Sequence, residues 1–377
     1  MTKIVIAADS FKGSATSQEV ATYLTRGIKQ VAPTAQVEAV PIADGGEGTV
    51  TSVLTAVGGQ VMTTPIQGPL GQPMTAHWGL LADHVAILEV AEGAGITQVS
   101  RDQLDPLATT SYGVGQVIQA ALDAGATTLY LGLGGSATND GGVGLAQALG
   151  ARFYDDQHAL IDQTGAAVGN IRTIDLSQLD ARLADTQIIG LTDVANPLTG
   201  QQGASAVFGP QKGATPAVVA QLDAGLVNLQ HLCQTQLGTD WGAVPGAGAA
   251  GGIGFGLLAF LGGRLEPGIQ EILRLTHLAE KIATADLVIS GEGQIDGQSL
   301  MGKAPIGIAR LAKQQDKPVI LVAGSVGKDL AAVYAAGVDL VLSSTMAPMS
   351  VARAIAQTPE LLAQAGMTAM RAFLLGK

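Results

Sequence analysis

Five short apolar runs constrain this chain most: "KIVIA" at the start, "VEAVPI" ending at Ile42, "DLVIS" ending at Ser290, "PVILVA" ending at Ala323 and "DLVLSS" ending at Ser344. Each is nearly continuous in apolar character rather than alternating, which is the pattern of parallel strands covered by helices on both faces. Helical spacing fills the gaps between them. "TSQE" offers a capping box from Thr16 to Glu19, followed by Val20, Tyr23, Leu24, Ile28 and Val31. Val50, Val53, Leu54 and Val57 form a second stripe that Gly58 can end, and the pattern returns around Leu311 and Val333.

Five β-α units predict a flavodoxin-like doubly wound parallel sheet, but more than two hundred residues separate its second strand from its third. The first domain is therefore expected to be discontinuous, with residues 1–62 plus 285–377 enclosing an inserted α/β domain at 63–284. The insert opens with turn-rich, strand-prone sequence that predicts an antiparallel portion. It continues with helix "GVGQVIQAALDAG", strand "TTLYLGL", helix "GGVGLAQALGA", strand "TQIIGL" and a long helix after Pro216. At 377 residues, two domains are the natural expectation.

Composition excludes several function classes. A net charge of −11 with no basic run repels a phosphate backbone, so nucleic acid is not an expected partner. Cys233 is alone, which fits a reducing cytoplasm, and the apolar start before Asp9 is too short for a signal-peptide core. The uncharged stretch from Trp241 to Gly263 contains nine glycines and a proline, which predicts a Gly-rich loop running into a short buried helix rather than a membrane span. There is no G-x-x-x-x-G-K-[ST], no H-E-x-x-H and no Cys/His cluster. "AGSVG" at 323–327 resembles a nucleophile elbow, but no histidine follows His277, so a Ser triad in that chain order is excluded. "GAGAAGG" contains a formal G-x-G-x-x-G at 246–251, yet Pro245 precedes it instead of a strand, and close backbone packing or an anion nest is the expected use.

The chemistry concentrates where strands end. In a strand order of 2-1-3-4-5, ligands bind near the switch between strands one and three. The loops expected there are "ADSFKGS", with Asp9, Ser10, Lys12 and Gly13; "ADGGEGT", with Asp44, Gly45, Gly46 and Glu47; and "SGEGQIDGQS", with Gly291, Glu292, Gln294 and Asp296. Glycine lets backbone N–H groups approach a phosphate, whereas carboxylates beside such a cradle repel it unless a cation intervenes. Mg²⁺, which takes one or two carboxylates with waters and phosphate oxygens, reconciles the two and points to phosphoryl transfer. The insert adds "GLGGSATNDGG", with Gly134, Gly135, Ser136, Asn139 and Asp140, then Asp193 and Asn196 in "TDVANPLTG", and Lys212 in "FGPQKGAT". Taken singly, each strand-end acid also reads as a helix cap or a first-turn acid favoured by the helix dipole.

In motif order, "DSFKGS", "ADGGEGT", "GLGGSATNDGG", "TDVANPL", "FGPQKGA", "GAGAAGG" and "SGEGQIDGQSLMGKAP" resemble the type 1 glycerate kinase family over essentially the whole chain. The resemblance implies a flavodoxin-like domain interrupted by a restriction-endonuclease-like α/β domain. It also implies ATP- and Mg²⁺-dependent phosphorylation of D-glycerate in the cytoplasm, to 2-phosphoglycerate or, for some members, 3-phosphoglycerate. Within that frame Lys12 and Lys303 are candidates to neutralise the transferring phosphate or grip the glycerate carboxylate, which Arg264 could also clamp. Asp193 and Asp44 are the candidates for general base and metal ligand, in an order left open. Asp9, Glu47, Glu292 and Asp296 complete the candidate metal set. Ser10, Gly13, Gly45, Gly46, Gly134, Gly135, Ser136, Asn139, Asn196, Lys212, Gly291 and Gln294 are the candidate substrate or phosphate contacts. Expected partners are ATP and D-glycerate, with a homodimer left open. A non-catalytic sensor, binding Mg²⁺ and a phosphometabolite in a receiver-like acidic pocket, is the alternative.

Overall fold

The computed structural model describes residues 1–43, 45–295 and 304–376, so the candidates Asp44, Asp296 and Lys303 lie outside the described residues. In chain order the strands are β1 (Lys3–Ile6), β2 (Gln36–Ala39), β3 (Gln60–Gln67), β4 (Pro73–Leu80), β5 (Val85–Glu89), β6 (Thr128–Gly132), β7 (Arg152–Tyr154), β8 (Thr173–Asp175), β9 (Gln187–Leu191), β10 (Arg264–Glu266), β11 (Leu287–Ile295), β12 (Val319–Val326) and β13 (Leu340–Ser343). The chain divides into two compact units, one of Met1–Asp44, Thr51–Gly58 and Ile269–Lys377, the other of Gly45–Val50 and Gly59–Gly268.

The first unit holds a parallel sheet in the order β13-β12-β11-β1-β2, which is 2-1-3-4-5 by appearance in the chain. Ile4 lies opposite Leu287 on one side and Val37 on the other; the central strands β1, β11 and β12 are largely buried, while the edge strands β2 and β13 are only half-buried. Helix Ser17–Val31 starts on the expected capping box, with the Glu19 N–H donating to Thr16 Oγ1 at 3.3 Å and the Thr16 N–H to Glu19 Oε2 at 2.8 Å. Its Val20, Leu24 and Ile28 join the core against Ile4, Ile6, Leu287 and Ile289. Helix Thr49–Val57 follows the second strand and ends at Gly58, whose φ of 80° is the left-handed stop that a Cβ would resist.

The second unit is built on a mixed sheet in the order β10-β9-β6-β5-β4-β3. The β3-β4-β5 meander is antiparallel, as its turn-rich sequence predicts, and β5, β6, β9 and β10 run parallel. Helices Tyr112–Asp123, Val143–Ala148 and Pro216–Leu232 stand where helical spacing places them. Leu88, Leu131, Ile118, Leu145 and Phe255 meet in one core. Trp78 is buried there with its indole N–H donating to Thr64 Oγ1 at 3.0 Å, which satisfies the one polar atom it takes inside. The Gly-rich segment becomes the buried helix Ala249–Phe260, with left-handed backbone at Ala250, Gly251 and Gly252. Gly141 N–H donates to Gly251 O at 3.1 Å, so the formal dinucleotide fingerprint serves close backbone packing. No helix among the described residues is long and apolar enough to cross a membrane.

Candidate active site

In the first unit the chain leaving β1 keeps company with β11: the Ala7 N–H donates to Ile289 O and the Asp9 N–H to Gly291 O, both at 2.9 Å. The strand expected to stop at Ser290 continues to Ile295, because its backbone pairs with β12 as far as Val326. Gly291, Glu292 and Gln294 are therefore strand residues and not loop residues. Asp9 is half-buried, Glu292 is only 7% exposed, and the strand pairing puts both at the edge where β1 and β11 run side by side. The Ser10 N–H closes on Asp9 Oδ1 at 2.6 Å. Beyond it a tight turn, with the Phe11 N–H donating to Ala15 O at 2.8 Å and Ser14 Oγ to Phe11 O at 2.9 Å, presents Lys12 and Gly13 to solvent. No group of three metal-type side chains stands together among the described residues. Mg²⁺ does not require one; two hard carboxylate donors such as Asp9 and Glu292 suit an ion that completes its shell with water and phosphate oxygens.

In the second unit the turn Gly45–Thr49 lies on the ends of β5 and β6. A Cβ on Gly132 would stand 2.4 Å from Gly45 O, and one on Gly134 would stand 2.5 Å from Gly46 Cα. These glycines are used for backbone-on-backbone approach, a role the phosphate-cradle reading did not foresee. The turn is also held by a residue the sequence reading passed over. Glu89, 5% exposed at the end of β5, accepts the Gly48 N–H at 3.1 Å on one oxygen and the Val50 N–H at 2.7 Å on the other. Burial pushes its carboxyl up to about 7, aided by the charges of Glu92 and Glu47 and opposed by the two N–H donors. Glu47 itself points into solvent.

The loop after β6 gathers a buried polar cluster. Lys212, 2% exposed, donates from Nζ to Ser136 Oγ at 2.8 Å and to Thr138 O at 2.6 Å. Burial brings its ammonium down to about 7, and the nearby Asp140 charge restores part of that. Asp140 accepts from Ser111 N–H at 2.8 Å, Ser111 Oγ at 2.7 Å, Gly142 N–H at 3.1 Å and Gly144 N–H at 3.3 Å. Burial still outweighs these donors and holds its carboxyl above the ordinary range. Asn139 Nδ2 donates to Ser205 Oγ at 2.9 Å, while Asn139 Oδ1 and Thr138 Oγ1 are buried without a hydrogen-bond partner. Polar atoms left open in this way mark a place that ordered water or a ligand completes. Gly135, by contrast, is exposed.

Three further candidates belong to the second unit. Asp193 is exposed on the segment after β9. Asn196 closes its own loop, donating from Nδ2 to Gln202 O at 2.8 Å. Arg264, expected just after the Gly-rich helix, begins edge strand β10 and meets Glu266 at 3.3 Å on an exposed face, a pairing worth little in water.

The model of the glycerate kinase family matches residues 4–374. A glycerate kinase of Halalkalibacterium halodurans is 43% identical over 97% of this chain and 96% of its own. A glycerate 2-kinase of Escherichia coli is 46% identical over 90% of each. A crystal structure from Salmonella typhimurium LT2, ascribed to a glycerate kinase 2, superposes with a TM-score of 0.87 at 43% identity and covers 100% of this chain and 99% of its own. A mixed α/β architecture shared at this identity over the whole length makes the protein a kinase, which sets aside the non-catalytic sensor. The chain belongs to the glycerate kinase family.

Proposed function

We propose that the protein transfers the γ-phosphoryl group of ATP to D-glycerate with Mg²⁺, giving 2-phosphoglycerate in the cytoplasm. The family match over residues 4–374 carries this reading, and the name of the Escherichia coli relative, a glycerate 2-kinase, favours the 2-hydroxyl over the 3-hydroxyl. The hydroxyl oxygen forms the new bond to phosphorus as the bond to the β,γ-bridging oxygen breaks; ADP leaves and the hydroxyl proton passes to a carboxylate. Asp44 and Asp193 are the candidates to orient the hydroxyl and receive that proton. Asp9 and Glu292 would hold Mg²⁺, which when bound offsets negative charge on the phosphate oxygens. Lys12, on its exposed turn, and Lys303 would add positive charge toward the phosphates or the substrate carboxylate. Lys212 is read here as holding the loop at 134–142 rather than meeting phosphate itself, because its ammonium is already bound inside.

The test is ADP release with ATP, MgCl₂ and D-glycerate, followed by ³¹P NMR of the product. Turnover with the 2-phosphate resonance is the expected result. A 3-phosphate product would correct the regiochemistry, and absence of D-glycerate-dependent ADP release would overturn the reading.

A further inference from the structure

Helix Thr49–Val57 starts badly by its own sequence. Gly48 precedes it and has no side chain to cap it, no acid lies in its first turn, and its first N–H groups need acceptors from elsewhere. The turn before it is loose by composition: Gly45 and Gly48 both take left-handed φ, 86° and 89°, and nothing stands within 4 Å of where a Gly48 Cβ would be. Glycines in such a run have the most conformational freedom to lose, so some outside group has to hold them. The structure supplies one from 39 and 41 residues further along the chain, with each oxygen of Glu89 taking one N–H.

We propose that Glu89 is a positioning residue for phosphoryl transfer, the buried carboxyl that fixes the turn at residues 45–49, which carries Glu47 and directly follows Asp44 in the sequence. The inference rests on the reading of that turn as part of the phosphoryl-transfer site. Two features favour it over a purely structural cap. First, the N–H groups of Gly48 and Val50 are those that a helix start would otherwise offer to a phosphate, and here a protein carboxylate already fills them. The turn is thereby set to present Glu47 rather than to cradle an anion. Second, a Ser, Thr or Asn cap would satisfy the same donors without burying a charge beside Glu47 and Glu92. With Gly45 pressed on Gly132 and Gly46 on Gly134, Glu89 completes a three-point seating of the turn.

The experiment is a double-mutant cycle on the full-length enzyme. Glu89→Gln keeps the size but removes the charge and one of the two acceptors, so some thermal stability is expected to be lost; kcat is expected to fall about tenfold, with KM for ATP and D-glycerate within about twofold. Glu89→Asp, which retains the charge on a shorter arm, is expected to recover part of that loss and gives a second variant should the first fold poorly. Asp44→Asn alone is expected to cost about a hundredfold, and adding Glu89→Gln to it should cost little more, because Glu89 acts through the turn. Losses that simply multiply, equal losses in the Gln and Asp variants, or a wild-type kcat in Glu89→Gln would each overturn the proposal while leaving the kinase reading intact. A wild-type kcat in Asp44→Asn would remove the turn from the active site and the proposal with it.

Discussion

The tripeptide Gly-Glu-Gly occurs at 46–48 and at 291–293, and the two copies adopt unlike structures. The first is a turn before a helix, with Gly48 left-handed and Glu47 in solvent. The second lies inside β11, where Glu292 faces Ala323 of β12 and is almost wholly buried. Neither behaviour is written in the three residues. The first copy is shaped by what receives it, the glycine backbone at 132–134 and the carboxylate of Glu89; the second is shaped by a neighbouring strand long enough to keep pairing past Ser290. Local sequence marks both as acid among glycines, and tertiary context decides which acid is displayed and which is enclosed.

The largest effect expected from this difference concerns the anchor of the first copy. Burial, aided by the charges of Glu92 and Glu47 and opposed by the Val50 and Gly48 N–H groups, holds the folded-state carboxyl of Glu89 near 7, above its ordinary 4.5. A raised carboxyl means that the folded chain holds an extra proton between those values. Its favourable contribution is complete below pH 4.5 and is lost as pH rises through about 7, a change on the order of 3 kcal/mol. Urea midpoints measured from pH 5 to pH 8 should fall in the wild type and flatten in Glu89→Gln. An unchanged slope in the variant would show that the turn is not held by an ionising anchor.

The second expected effect separates the two glutamates in catalysis. Glu292→Gln should lower kcat about a hundredfold and raise the Mg²⁺ concentration for half-maximal rate about tenfold, as for a lost metal ligand, whereas Glu47→Gln should change either by no more than about threefold. Mg²⁺ titrations of the two variants side by side check this. The reverse ranking would move the metal to the exposed copy.

Legibility in the sequence follows the same division. The parallel sheet of the first unit was readable because burial on both faces leaves continuous apolar runs, and the capping box at Thr16 and the stop at Gly58 were readable because each is a local rule. Strand β10 was not, since three residues with charged ends carry no period, and the short pair β7 and β8 is equally silent. The extension of β11 was missed because Gly-Glu-Gly-Gln has no β-branched residue to announce a strand. Lys212 was singled out as a phosphate contact, but its burial against Ser136 depends on a chain separation of 76 residues that no local pattern encodes. Glu89 reads in "AILEVAEGAG" as an ordinary strand-end acid. The available clue lay elsewhere, in a helix start at Thr49 with neither a side-chain cap nor a first-turn acid of its own.

The glycines of the two copies sharpen the comparison further. At Gly291 a Cβ would lie 2.6 Å from Val322 O, a backbone atom that cannot step aside, so Gly291→Ala should cost about 2 kcal/mol through overpacking. At Gly48 there is open space, and the cost of Gly48→Ala is that of forcing an L residue to a φ of 89°, about 1 kcal/mol. Urea denaturation of both variants tests the order, and a Gly48→Ala more damaging than Gly291→Ala would mean that turn conformation matters more than strand packing.

Gly293 makes the smallest and most discriminating case. It belongs to the same tripeptide as Gly291 and lies in the same strand, but the nearest atom to its missing Cβ is Lys12 N at 3.6 Å, an ordinary contact, and its φ is not left-handed. Alanine can therefore take the native backbone without strain, and it narrows the unfolded ensemble that glycine leaves wide. Gly293→Ala should be neutral or stabilising by about 0.5 kcal/mol. The urea midpoint reads this directly, and kcat measured on the same sample shows whether the turn at Lys12, which the new methyl would touch, tolerates it. A clear loss of stability would mean that the strand around Glu292 is packed more tightly against residues 11–12 than these distances allow.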